Sequence, residues 1–445
     1  MLPDPYPVKP WRAPCRGSVS LPGSKSLTNR ALILSALTKG TVQLEGALVS
    51  RDSRLLVQNL QALGFEVSMD EAKRSMVIRG EGGSIPESVA DLFVGNAGTA
   101  ARFLTAFVCL HPDGRYRFDG DEEMRKRPME GLLDCLTRLG ARVAFEGERN
   151  CFPFEIQTTG LPGGNWSVDA GASSQMLSAL MMVAPFASEN VFLSAPGVRP
   201  AFVQMTADLM HQYGVNLSGT PSDGYSIPAG QSYSPGKSRF PIEPDATAAS
   251  YFMTLPLVVG GSVLVRGMHS GLLQGDTAYA GVLRDLGMGI TEKEDGLLVE
   301  APEVYTAEAR AFSFRTFSDT FLTLAAVAPL LPAPVTISGI NHTRYQETDR
   351  IHAMAEGLGR AGAQVSTDEG SITVGPGGIS GSPKPVFIDS YKDHRVAMSF
   401  GILGCRDVLG TGEPWLYVRD PACCAKTFPA FFEELELLYR NSHDK

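Results

Sequence analysis

Polar and apolar positions fall into a block pattern that recurs six times along this chain, about every 74 residues. Each block opens on a short loop of small or polar residues, often carrying a charge. The loops read Gly23-Ser24-Lys25-Ser26, Gly95-Asn96-Ala97-Gly98-Thr99, Gly171-Ala172-Ser173-Ser174, Asp245-Ala246-Thr247, Ser318-Asp319-Thr320 and Asp393-His394-Arg395. They run straight into NRALILSAL, AARFLTAF, QMLSALMMVA, AASYFMTLPLV, FLTLAAVAPL and VAMSFGILG. Few charges interrupt these runs, which predicts helices buried on all sides. A second segment follows in each block: RLLVQNLQALGFEV, MEGLLDCLTRLGARV, AFVQMTADLMHQYGVNL, AYAGVLRDLGMGI, RIHAMAEGLGRAGAQV and FPAFFEELELLYR. Apolar residues at i, i+3, i+4 and i+7 predict amphipathic helices whose charged faces form an outer shell. Five of the six end in a glycine followed by a β-branched or alternating run, the signal for a helix stop leading into a strand.

The repeat is therefore strand, buried helix, strand, amphipathic helix, strand pair. It is too long for a solenoid repeat and reads as a small α/β subdomain. Periodicity leaves a ring, a row and two groups of three all open. The turn-rich stretch Gly230 to Phe240, GQSYSPGKSRF, is the expected break between the third and fourth repeats.

A chain of 445 residues exceeds what one core serves, so two or more domains are expected. The net charge of −9 argues against a nucleic-acid or anionic-membrane partner. Any anion site must then be a local basic cluster within an acidic shell. The seven cysteines show neither zinc spacing nor a disulfide framework, which points to reduced thiols and a cytoplasmic location. No apolar run has the length and purity of a membrane span, and the N-terminus lacks a signal-peptide core.

The chemistry gathers at the loops, because a helix N-terminus presents unpaired N–H groups to an anion. Lys25, Ser26 and Arg30 offer a cation, a hydroxyl and a second cation one turn on, without Walker A spacing. Asn96, Gly98 and Thr99 make a loop rich in backbone donors, with Arg102 just inside the helix. Ser173, Ser174 and Gln175 are neutral donors whose plain use is an N-cap. Asp319 and Glu347 are acids placed to exchange protons if cations stand beside them. Arg127, Arg350, Arg395 and Lys426 complete the basic set; singly, each reads as a surface ion-pair partner. His394 reads as a structural hydrogen-bonder, since no second ligand stands at metal spacing.

In this order and register, the segments LPGSKSLTNRALILSAL, LFVGNAGTAARFLTAF, MRKRPMEGLLDCL, ASSQMLSALMMVAP, GLLQGDTAYA, QETDRIHAMAEGLGRAGA, DHRVAMSF and DPACCAKTFPAFFEEL resemble the enolpyruvyl transferase family. The resemblance covers nearly the whole chain. It implies an α/β fold, a two-domain inside-out α/β barrel of six repeats, with residues 22–242 in one domain and 1–21 plus 243–445 in the other. The domains are expected to close on the substrates. The implied reaction moves the enolpyruvyl group of phosphoenolpyruvate to the 5-hydroxyl of shikimate 3-phosphate and releases phosphate. No metal or organic cofactor is implied, and the expected partners are small phosphorylated molecules, with the chain a monomer.

By motif, the resemblance assigns phosphoenolpyruvate to Lys25, Asn96, Gly98, Thr99, Arg127, Arg350, Arg395 and Lys426. Proton transfer falls to Asp319 and Glu347, assisted by Lys25. The acceptor falls to Ser26, Arg30, Ser173, Ser174, Gln175 and Asp319. Departures from the family pattern cluster on the acceptor side. Arg344-Tyr345-Gln346-Glu347 stands where the family has Arg-Val-Lys-Glu, His342 replaces an asparagine, Arg199 and Phe202 stand in a family Ser-Lys-Pro-Tyr segment, and Lys392 replaces Asn or Asp. Arg199, His342 and Gln346 are therefore included among the acceptor residues. The departures raise two rival readings: transfer to another phosphorylated acceptor, or elimination of phosphate from shikimate 3-phosphate to a cyclohexadiene carboxylate with His342 as base. A phosphometabolite-binding module without catalysis is a third; the retained Asp319 and Glu347 speak against it.

Overall fold

Each of the five helix-ending glycines predicted from sequence, Gly64, Gly140, Gly214, Gly287 and Gly362, adopts a positive φ between 80° and 109°. In each case the next residue returns its N–H to a helix carbonyl five residues back, as Phe65 does to Leu60 and Ala363 to Leu358. A side chain at these positions would be strained, so glycine is what lets the amphipathic helix stop and turn into a strand. The computed structural model describes residues 2–443 except 172, 304, 306, 307 and 380–383. Ala172 of the third loop thus lies outside the described residues.

The chain divides into two compact units, one of residues Gly23–Glu243 and one of Met1–Pro22 with Pro244–Lys445. The same sheet recurs in both. In the second repeat, Val89–Phe93 pairs in parallel with Arg115–Asp119, which pairs antiparallel with Phe154–Gln157, and that with Arg142–Phe145. The third and fifth repeats copy this order. The first and fourth repeats borrow their leading strand from elsewhere in the chain. Arg239–Pro241 runs parallel to Lys39–Glu45, and Ser18–Val19 runs parallel to Ser262–Arg266. The end of the turn-rich Gly230–Phe240 stretch is therefore a strand of the first repeat's sheet, not a free linker. The sixth repeat is completed by Tyr6–Pro7, antiparallel to Leu416–Val418.

The apolar runs form the buried helices expected of them. In Gly23–Glu243, the Gly98–Phe107 helix packs against both Lys25–Leu37 and Gln175–Val183. In the other unit, Ala246–Val259, Phe321–Val327 and His394–Leu403 all touch one another. Every residue of His394–Leu403 is buried. Each leucine so buried is worth about 2 kcal/mol. The buried helices also pack on the sheets, Lys25–Leu37 on Ser75–Glu81 and Ala246–Val259 on Ser262–Arg266. The amphipathic helices, such as Arg51–Ala62 and Arg350–Arg360, keep a charged side in solvent. No helix among the described residues is long and apolar enough to cross a membrane.

Candidate active site

In the Gly23–Glu243 unit the first turns of the second and third buried helices come together, and the first helix packs beside the second. Ser24 caps the first, its side chain accepting from Leu27 N, and Lys25 and Ser26 stand partly exposed in the first turn. Gln175 opens the third helix and donates from Nε2 to Thr99 Oγ1 of the second at 3.1 Å. Gly98 lies in the middle. A Cβ built on it would stand 2.8 Å from Arg102 Nη1, 3.0 Å from Arg127 Nη1 and 3.8 Å from Gln175 Oε1. Two guanidinium groups and an amide thus converge on the one residue whose missing side chain leaves them room. Asn96 lies two residues before Gly98 with its Oδ1 buried and without a hydrogen-bond partner. Ser173 accepts from Gln175 N at 3.3 Å, an ordinary turn contact, and Ser174 is buried.

Arg30 is fully enclosed at 1% exposure. It donates from Nε to Thr206 Oγ1 at 2.7 Å, from Nη1 to the Ser26 carbonyl at 3.1 Å, and from Nη2 to Ser178 Oγ and the Phe202 carbonyl at 3.3 and 3.1 Å. The Phe103 and Phe202 rings lie 5.2 and 6.0 Å from the guanidinium. Arg102 is 5% exposed and donates to the Gly98 and Pro128 carbonyls. Neither forms an ion pair among the described residues. Burial pushes both down to about 9, with Arg127 adding to the effect on Arg102, so both stay charged at neutral pH. Two buried cations balanced only by dipoles give this unit a standing attraction for an anion. Arg199 caps the Pro200–Gln212 helix and is partly exposed.

The other unit gathers a denser network. Asp319 accepts from Arg350 Nη1 at 2.9 Å through Oδ1 and pairs with Arg395 Nη2 at 2.8 Å through Oδ2. Arg350 also donates from Nε to the fully buried Asp393 at 2.7 Å and from Nη1 to Gln346 Oε1. Burial alone would lower both guanidinium groups. Asp393 and then Asp319 hold Arg350 above its ordinary range, and Asp319 does the same first for Arg395. Glu347 pairs with Lys426 Nζ at 2.8 Å, and its other oxygen lies 3.0 Å from His394 Nδ1. Burial keeps His394 below the usual imidazole range, against the opposing pull of Glu347. His342 Nε2 shares a 2.9 Å hydrogen bond with Ser318 Oγ, next to Asp319.

Sequence reasoning brings Asp319, Glu347, Arg350, Arg395 and Lys426 to this unit, and the structure sets them in contact as pairs. It gives no warning of Asp393, which reads as a plain N-cap and also serves as the counterion of Arg350. Glu347, Asp393 and His394 place three potential ligand atoms within 4.8 Å. Lys426 and Arg350 already balance both carboxylates, so the cluster is built as an ion-pair network. Arg102, read from sequence only as standing just inside the helix after Gly98, brings its guanidinium back onto that glycine.

Two units of three α/β repeats each, with polar or charged first turns on their buried helices, have the architecture of an enolpyruvyl transferase. The structure superposes with EPSP synthase from Acinetobacter baumannii at a TM-score of 0.80, covering 97% of each chain at 22% identity. The enolpyruvyl transferase NikO from Streptomyces tendae gives 0.70 at 13% identity, covering 97% of this chain and 96% of that one. In sequence, residues 11–435 match the family of EPSP synthase (3-phosphoshikimate 1-carboxyvinyltransferase), and the chain belongs to that family. A 3-phosphoshikimate 1-carboxyvinyltransferase from Opitutus terrae is 47% identical over 99% of both chains. One from Nostoc punctiforme is 38% identical over 96% of this chain and 98% of its own.

Proposed function

We infer that this chain transfers the enolpyruvyl group of phosphoenolpyruvate to the 5-hydroxyl of shikimate 3-phosphate and releases inorganic phosphate. The observation that carries the reading is the Arg350–Asp319–Arg395 cluster with the Glu347–Lys426 pair, which puts two carboxylates and three cations in one unit of a chain from this family. In the addition step the acceptor hydroxyl loses its proton as its oxygen bonds C2 of phosphoenolpyruvate, while C3 gains a proton. In the elimination step C3 gives a proton back and the C2–O bond to phosphate breaks. Asp319 and Glu347 serve these proton transfers, with Lys25 assisting. Arg127, Arg350, Arg395 and Lys426 hold the phosphate and carboxylate and stabilise the tetrahedral intermediate, with Asn96, Gly98 and Thr99 forming the loop beneath. Ser26, Arg30, Ser173, Ser174 and Gln175 serve the acceptor, and Arg199 adds a cation where its phosphate is expected.

Phosphorus NMR of the protein with both substrates tests this reading. Release of phosphate that requires both, with an enol ether product, supports it; release from shikimate 3-phosphate alone would replace it with elimination. The elimination reading has no observation of its own, because its candidate base His342 is engaged with Ser318.

A further inference from the structure

The Gly275–Ala278 turn carries a carboxyl group that the mechanism above does not use. Asp276 is 6% exposed, and its Oδ1 has no hydrogen-bond partner. The turn packs against the Ala246–Val259 helix, the Tyr279–Asp285 helix and the Ser318–Thr320 turn. From these elements and the His394–Leu403 helix, the charges of Asp319, Arg395 and Asp245 and the Thr247 hydroxyl act on Asp276. Tyr279 sends its hydroxyl to Thr254 instead, at 2.8 Å, and Arg284 and Asp285 point to solvent. Tyr251 lies beside Arg395, and burial lifts its phenol well above the range considered below. Gln274 locks the turn to the start of the same helix, accepting from Ala246 N at 2.9 Å and donating to the Pro244 carbonyl at 2.7 Å. Asp276 is therefore held in place by its backbone, with one oxygen unserved, among two other acids and one shared cation.

We propose that Asp276 is a positioning residue for enolpyruvyl transfer: a buried carboxyl group kept neutral behind Asp319 and Arg395, whose ionisation would compete with the substrate anion for Arg395. A carboxylate left without a full set of donors in the core is costly, whereas the neutral acid needs less. Burial, and next the charge of Asp319, push its ionisation up to about 7. Below that pH Arg395 serves Asp319 and the incoming anion. Above it, a third negative charge enters the cluster and the site loses affinity for phosphoenolpyruvate.

The proposal rests on the transfer reading above and is tested by the pH dependence of the KM for phosphoenolpyruvate in wild-type protein, Asp276→Asn and Thr247→Val. Taking the ratio to wild type cancels the substrate's own titration. Between about pH 7 and pH 9 the wild-type KM should rise several-fold relative to Asp276→Asn, which stays neutral throughout. Thr247→Val removes a hydroxyl that favours the charged form, so the rise should begin at higher pH. Thermal melts give a second readout. The folded-state value lies above the unfolded one, so the stability Asp276 contributes is present at low pH and lost as pH rises to about 7; Asp276→Asn should gain on wild type between about pH 4 and pH 7 and keep that gain at higher pH. A KM ratio and a melting difference that stay flat with pH in both variants would overturn the proposal. Absence of transfer by the wild type would instead sink the transfer reading, while the melts would still report the charge of Asp276.

Discussion

Gln346 accepts a hydrogen bond from the same Arg350 nitrogen that serves Asp319. The residue that departs from the family pattern is thus tied to a predicted phosphoenolpyruvate residue rather than free to meet the acceptor. Gln346→Leu should remove an acceptor worth about 1 kcal/mol and raise the KM for phosphoenolpyruvate several-fold in steady-state assays. Gln346→Lys should bring no gain, because it sets an ammonium against a guanidinium. A rise in kcat/KM with that variant would show that the position acts through the acceptor after all.

Gly98→Ala separates function from stability. The new methyl group meets the tips of Arg102 and Arg127, not backbone, so side chains move and the fold stays. Melting should change by less than about 1 kcal/mol, while the KM for phosphoenolpyruvate rises about tenfold or more as the two cations are displaced. Equal losses in both would mean that the loop itself had collapsed.

Asp319→Asn should cost on both counts. It weakens Arg395 and Arg350 as buried cations together, a change expected to lower stability by about 3 kcal/mol. With Asp319 in its proposed proton-transfer role, the change should cut turnover by about 100-fold to 10,000-fold. Denaturant unfolding and kcat, measured on one preparation, check both. A variant of normal kcat would remove Asp319 from the mechanism.

Lys392 holds a φ of 58°, directly after Tyr391 at 55°. Two left-handed residues in succession are strained unless Gly, Asn or Asp occupies them. Lys392→Asn should therefore raise stability by about 0.5–1 kcal/mol by denaturant titration. If stability falls instead, the lysine makes a contact that outweighs its strained backbone.

The repeats were legible because burial leaves a period in the sequence. The glycines after Leu63 and Ala361, and the uncharged runs after Arg30 and Asp245, announce helix ends and buried faces without reference to distant residues. The pairings were not legible, because they join residues far apart in the chain. Nothing local in Arg350 says that Asp393 is its counterion, or that Asp319 divides its two oxygens between Arg350 and Arg395. Asp276 illustrates the same limit. GLLQGDTAYA marks a helix start, and only the tertiary packing shows that its carboxyl group faces two other acids. Arg30 reads only as a second cation one turn on from Lys25, and nothing local names Thr206, Ser178 and Phe202 as the residues that enclose it.

The borrowed strands carry a consequence for the order of assembly. Residues Gly23–Glu243 form an uninterrupted insertion that already contains Arg239–Pro241, the strand its first sheet needs. That unit is complete as soon as its last residue leaves the ribosome. The other unit is split around it. Tyr6–Pro7 and Ser18–Val19, which precede the insertion, find their partners at Leu416–Val418 and Ser262–Arg266, which follow it. During synthesis the N-terminal segment, with Val8, Trp11 and Val19 destined for the core, waits unpartnered while most of the chain is added. Growth of the nascent chain thus imposes a sequence on folding in which the inserted half comes first, Ser18–Val19 next and Tyr6–Pro7 last.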